Sequence, residues 1–271
     1  MLFLILGFLG ACALTIPGCL TFWKINEGWQ FYHAIVLAIA GYVVGLLLAF
    51  LVFTLIGLTF KKEETYTKST RLARFMLKSG YTFLHFHGLV ITKFKGLDKL
   101  PKNKRFLLVC NHRSNFDPIL LCEKLMHYEV AAISKPENFK IPMAGPYVYA
   151  NCYMGIQRDN ILQSLEVMKK AAEFIINDQN SVLVFPEGKR QTKEIIGPFH
   201  EGVFNIAIKS QCPIVVFTVK KTEQIHKHFP LRFTKVTFNL LDVIPYEEYV
   251  GMTAKKLSDA VRDLMLEDLQ K

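Results

Sequence analysis

In Leu107-Leu108-Val109-Cys110-Asn111-His112-Arg113-Ser114-Asn115-Phe116-Asp117-Pro118 an apolar run breaks into a polar loop. The loop holds His112 and Asp117 with four residues between them. Histidine takes up and returns a proton near neutral pH. An aspartate bonded to one ring nitrogen orients the imidazole and leaves the other nitrogen free as a base. A simpler reading serves Asp117 alone, because Asp-Pro has the form of a helix N-cap followed by the first helical residue. Capping gives no reason for His112 or for the polarity of the loop between them.

Two more turns carry candidate chemistry. Val182-Leu183-Val184-Phe185-Pro186-Glu187-Gly188-Lys189-Arg190 ends an apolar run with an acid, a glycine and two cations. On its own this reads as a solvated turn, with Gly188 supplying backbone freedom. Met154-Gly155-Ile156-Gln157-Arg158-Asp159 supplies a further arginine. Arginine presents a planar fork of donors suited to phosphate.

Such residues need strands and helices to place them. Short β-rich runs at 87–94, 106–110, 130–133, 181–185, 213–219 and 235–241 alternate with helical patterns at 118–126, 161–178, 203–210 and 254–269. This alternation predicts an α/β domain, a mostly parallel or mixed sheet flanked by helices, over residues 87–271. In open α/β sheets ligands bind beyond the carboxyl ends of the strands, which is where His112 and Glu187 fall.

The N-terminal part is of another kind. Residues 1–60 carry only Lys24 and Glu27 as formal charges, so the net charge of +10 belongs to residues 61–271. The uncharged stretches 1–23 and 28–60 each exceed the roughly 20 apolar residues that cross a bilayer. The first has no basic residue ahead of it and no small-x-small site after it, unlike a cleaved signal peptide. Trp23 and Trp29 flank the link as aromatics do at a membrane surface. Residues 1–60 therefore read as a transmembrane helical hairpin, with Pro17 as a kink site. Lys61, Lys62, Lys68, Arg71, Arg74 and Lys78 follow it, and cytoplasmic flanks collect such residues, so the larger part is expected on the cytoplasmic face. Residues 61–86 read as a basic amphipathic segment at the membrane surface, although Gly80 speaks against one continuous helix.

Several classes fall away. The six cysteines show no CxxC spacing and read as buried free thiols in a reducing compartment. His85 with His87, and His226 with His228, would share strand faces but have no acidic or cysteine partners at metal-ligand spacing. No G-x-S-x-G, phosphate loop or dinucleotide fingerprint occurs. The pI of about 9.2 fits cationic flanks beside anionic lipid better than nucleic acid.

Taken together, the turns resemble the glycerolipid acyltransferase family, best known for 1-acyl-glycerol-3-phosphate acyltransferases. Asn111, His112, Ser114 and Asp117 match its N-H-x-S-x-x-D motif. Gly155, Ile156 and Arg158 match G-x-[IF]-x-R, and Phe185, Pro186, Glu187, Gly188 and Arg190 match F-P-E-G-T-R-S. Pro213, in an apolar run, fits the fourth motif. Lys189 stands where the family has threonine, Gln191 where it has serine, and His200 and Glu201 where it often has lysines.

The resemblance implies that His112 takes the proton of a lipid hydroxyl while Asp117 holds the ring. That hydroxyl attacks the thioester of acyl-CoA or acyl-carrier protein directly, with no metal or organic cofactor. It also implies that Asn111, Ser114, Arg158, Glu187, Gly188, Lys189 and Arg190 bind substrate, a lysophosphatidic acid or related lyso-lipid. Two rival readings are a different acceptor, such as glycerol-3-phosphate, and a non-catalytic protein that binds anionic membrane lipid.

Overall fold

The computed structural model describes residues 1–22, 29–61, 66–157, 159–191 and 195–271. In chain order its helices are α1 (Leu2–Phe22), α2 (Trp29–Gly57), α3 (Arg71–His87), α4 (Phe116–Lys124), α5 (Gly145–Ala150), α6 (Ile161–Ile176), α7 (Asn205–Ser210), α8 (Ile225–His228), α9 (Tyr246–Tyr249) and α10 (Ala254–Gln270). The strands are β1 (Val90–Lys95), β2 (Leu107–Cys110), β3 (Val130–Ser134), β4 (Met154–Gly155), β5 (Ser181–Val184), β6 (Ile214–Lys220) and β7 (Thr234–Ile244).

The strands form one sheet in the order β1-β7-β6-β2-β5-β3-β4. All neighbours are parallel except β6 and β7, so the expected mixed α/β sheet is what forms. Sequence explains which strands lie where. Central β2 and β5 are apolar almost throughout and every residue in them is buried, as a strand covered on both faces requires. Outer β1 and β7 alternate buried and accessible positions, the period of a strand with one wet face. Helix α10 starts at the N-cap Thr253, whose hydroxyl accepts from Lys256 N. It buries Leu257, Val261 and Met265, a stripe at helical spacing.

The two apolar helices pack as a hairpin. A methyl group built on Gly10 would lie 2.2 Å from Gly41 O, and one on Gly45 would lie 2.1 Å from Leu6 O. Backbones this close need small residues on the seam. The outer faces are apolar and open, with Leu20 81%, Leu47 64% and Phe8 64% exposed. Only 11% and 17% of the two apolar windows are buried, which sets these helices apart from core helices of a soluble fold. The hairpin is thus built for apolar surroundings on nearly every side. Helix α1 runs on through Pro17. The link with Trp23, Lys24 and Glu27 lies outside the described residues, as does Lys62.

The base of the hairpin joins the domain core. Phe3 meets the rings of Phe50, Phe53 and Phe83, and Tyr147 of α5 donates its hydroxyl to Phe53 O. Helix α3 departs from expectation in three ways. It is a single helix across Gly80, which faces Phe53. Its cations turn partly inward, Arg74 to Glu129 and His85 Nδ1 to Glu123 at 2.7 Å. Its open face carries Leu72, Phe75 and Phe86 beside Arg71 and Lys78. His85 and His87 therefore stand on the last turn of a helix rather than on a strand, and His226 and His228 lie in α8.

Candidate active site

Strand β2 delivers Asn111 and His112 to its carboxyl end, and the chain turns at once into α4. The helix begins at Phe116, with Asn115 as its cap residue, so Asp117 sits inside the first turn. The capping reading of Asp117 is thereby corrected. Its carboxylate points back into the preceding loop instead of onto helical N–H groups. One oxygen, Oδ2, meets His112 Nδ1 at 2.9 Å and accepts from Arg113 N at 2.6 Å and Ser114 N at 2.7 Å. Oδ1 is buried without a partner among the described residues. Three donors converging on one oxygen hold both the acid and the loop.

A carboxylate only accepts, so the hydrogen on His112 belongs on Nδ1 and the lone pair on Nε2. The imidazole lies on Phe185, ring centroids 4.3 Å apart and planes at 25°. Its side chain is 17% exposed and that of Asp117 is 0%. The acid is therefore walled off, and one edge of the base stays open.

Glu187 completes the frame from neighbouring β5. Its Oε1 accepts from His112 N at 2.7 Å and its Oε2 from Gly197 N at 2.9 Å. Burial pushes its carboxyl pKa up, with those N–H donors and the nearby His112 and Arg113 pulling the other way. Both oxygens are thus engaged by backbone, and Glu187 ties the two loops together. Gly188 takes φ +66°, the left-handed region that favours glycine. Lys189 and Arg190 then emerge exposed, without a hydrogen bond or ion pair among the described residues.

Asn111 and Ser114 are likewise structural in their contacts. Fully buried Asn111 bridges to β6, accepting from Val219 N at 2.7 Å and donating to Val219 O at 3.1 Å. Ser114 is 2% exposed, and its Oγ accepts from Phe116 N at 3.3 Å. Pro213 precedes β6, and its carbonyl accepts from Leu107 N at 3.0 Å.

Three of the four motifs therefore occupy adjacent strands, β5, β2 and β6. The Gly155 motif does not join them. Gly155 pairs with Ser134 on edge strand β4, three strands from β2 in the sheet order, or roughly 14 Å at the usual strand spacing. There Gly155 and Gln157 line a cleft of about 430 Å³ with Lys140 and Lys170. Arg158 lies outside the described residues.

Some of the framework carried no advance signal. Arg113 Nε pairs with Glu223 at 3.3 Å, and Arg262 of α10 donates to Gly197 O at 3.2 Å. The Glu187 contacts run to backbone N–H groups, which any residue supplies, so no side-chain pattern announces them. All six cysteines are free.

Known proteins resemble this chain. Residues 91–220 match the family model described as Acyltransferase. The mouse 1-acyl-sn-glycerol-3-phosphate acyltransferase alpha is 27% identical over 175 residues, which cover 64% of this chain and 61% of that protein. The coconut 1-acyl-sn-glycerol-3-phosphate acyltransferase is 32% identical over 131 residues, covering 48% and 42%. Matches to the mammalian alpha proteins thus span about three fifths of the relatives' length. The crystal structure of the LPA acyltransferase PlsC from Thermotoga maritima aligns over 74% of this chain and 83% of that one. Its TM-score is 0.57 and its identity 22%, a likeness of fold.

Proposed function

We propose that this chain, whose residues 91–220 match the family model described as Acyltransferase, transfers a fatty acyl group from an acyl thioester to the free hydroxyl of a lysophosphatidic-acid-type acceptor. The observation that carries this reading is the buried Asp117 holding Nδ1 of a partly open His112 at 2.9 Å. Nε2 takes the hydroxyl proton as the acceptor oxygen attacks the thioester carbonyl carbon. The new C–O bond forms, the C–S bond breaks, and the imidazolium returns its proton to the departing thiolate. The ester product and a free thiol result, without an acyl-enzyme. The thioester brings its own activation, so the scheme calls for no metal or organic cofactor. The donor is acyl-CoA or acyl-carrier protein.

Asn111, Ser114, Glu187 and Gly188 serve this scheme by holding His112 and its loops. Lys189 and Arg190 are the cations available to an acceptor phosphate, and Arg158 is assigned to the same task by its motif. The domain sits on the cytoplasmic face, as the basic residues after the hairpin favour. A cysteine introduced near Glu27 then reacts with an impermeant thiol reagent outside intact cells and one near Lys271 does not; the opposite pattern refutes this orientation.

The decisive test is His112→Ala, assayed with a panel of lyso-acceptors and both donor types. Loss of a positioned base costs roughly 10²- to 10⁴-fold in rate. Circular dichroism and gel filtration in detergent check that the variant folds. Near-normal transfer by the folded variant refutes the mechanism.

A further inference from the structure

Between Glu223 and Asp242 the chain carries no acid. In the middle of this stretch stands Phe229-Pro230-Leu231-Arg232-Phe233, with Leu231 90%, Phe233 64% and Phe229 54% exposed. Large apolar side chains gathered on a surface mark a site where something apolar lies against them. This segment is not slack chain. Phe229 N donates to Ile225 O at 3.0 Å, Leu231 N and Arg232 N both donate to His228 O, and His228 Nδ1 meets Thr234 Oγ1 at 2.9 Å. An ordered backbone thus presents the three side chains outward. Lys227, Arg232 and Lys235 flank them, all exposed.

The surroundings say what covers this loop. Thr234 N donates to Leu89 O at 2.9 Å, which ties the loop to the end of α3. There His87 Nε2 meets Tyr42 Oη of α2 at 2.9 Å. Exposed Phe86 and Ile91 stand on either side of that junction in the chain. The apolar loop is therefore continuous, through α3, with the apolar hairpin. On its other side His226 lies edge-on to Phe116, ring centroids 6.0 Å apart, and Phe116 neighbours Asp117.

We propose that residues 229–233 form a second membrane contact, inserting Phe229, Leu231 and Phe233 into the lipid surface while Lys227, Arg232 and Lys235 meet anionic headgroups. Apolar and aromatic groups flanked by cations suit the boundary between headgroups and acyl chains. With the hairpin, this gives the domain two footholds. The His112 loop is then fixed at the lipid surface rather than swinging above it. The bilayer, and not a protein partner, is the assigned occupant because the loop joins the hairpin's apolar surface and is uniformly cationic at its edges.

The test uses the full chain in phosphatidylcholine–phosphatidylglycerol vesicles, with Trp23→Phe and Trp29→Phe as background. Leu231→Trp is compared with Lys104→Trp, an exposed position just ahead of β2 at the opposite edge of the sheet. In vesicles with brominated acyl chains, the indole introduced at position 231 loses intensity and emits to the blue, while the one at position 104 does neither. Phe233→Trp is the second reporter, should the first variant fold poorly, and behaves as the Leu231→Trp protein does. Equal, weak quenching at positions 231, 233 and 104 overturns the proposal. A blue shift without brominated-lipid quenching also overturns it, because protein, a second copy of this chain included, then covers the loop. Neither readout depends on turnover, so failure of the acyl-transfer reading leaves this one standing or falling by itself.

Discussion

Two turns at the same edge of one sheet are built in opposite ways. At the end of β2, nearly every polar group around His112 is spoken for: Asp117 holds Nδ1, Glu187 holds the backbone nitrogen, and Gln191 N donates to His112 O at 2.8 Å. At the end of β5, Glu187 is held just as firmly, but Lys189 and Arg190 stand open. A base that meets one proton must be placed in advance, since orientation lost at that point is lost in rate. A cation that captures a phosphate can settle on its ligand. The first turn should therefore be sensitive in kcat and the second in KM.

Asp117→Asn presses hardest on this contrast. Asparagine keeps one acceptor oxygen for the Arg113 and Ser114 N–H groups but removes the carboxylate charge beside His112. If Asp117 orients the base, kcat falls by about two decades or more and the fold survives, as steady-state kinetics and circular dichroism will show. Little change in kcat means that the first turn is only a helix start. Arg190→Ala comes next. Charged hydrogen bonds to a bound phosphate contribute about 1.5–3 kcal/mol, so kcat/KM for the acceptor drops roughly one to two decades through KM. The donor's KM stays near its original value. A fall in kcat alone, or equal rates with the dephosphorylated acceptor, erases the difference between the turns.

Glu187→Gln gives the smallest effect on rate and sharpens the part the turns share. Burial raises the Glu187 pKa in the folded chain, so the folded state holds the proton to higher pH than the unfolded one. Its contribution is full below the unfolded value and is lost as pH rises through the folded value. Wild-type melting temperature should therefore decline across that window, while the glutamine variant lacks the slope. The variant is also less stable overall, because an amide satisfies only one of His112 N and Gly197 N, and a stranded buried group costs about 1–3 kcal/mol. An unchanged pH slope refutes this account.

Sequence carried the sheet and the His112–Asp117 pair well, for a physical reason. Strands buried on both faces must be apolar almost end to end, and β2, β5 and β6 are. Strand β4 escaped notice because two residues show no period. Gly80 argued against a continuous α3 on propensity, yet the helix runs through it from Arg71 to His87. The paired histidines at 85/87 and 226/228 suggested a strand period where each pair sits near a helix end. At the site, the pairing of His112 with Asp117 was legible because both are side chains with one chemistry. The backbone contacts of Glu187, Asn111 and Ser114 were not legible, since backbone partners have no residue signature.

The seam between α1 and α2 bears on how a fatty chain travels. With a methyl on Gly10 already only 2.2 Å from Gly41 O, and one on Gly45 2.1 Å from Leu6 O, no methylene fits between the helices at that depth. The hairpin is closed to lipid traffic along that line. Under the proposed acyl transfer, a hydrocarbon tail bound for His112 would go around it, along the outer walls.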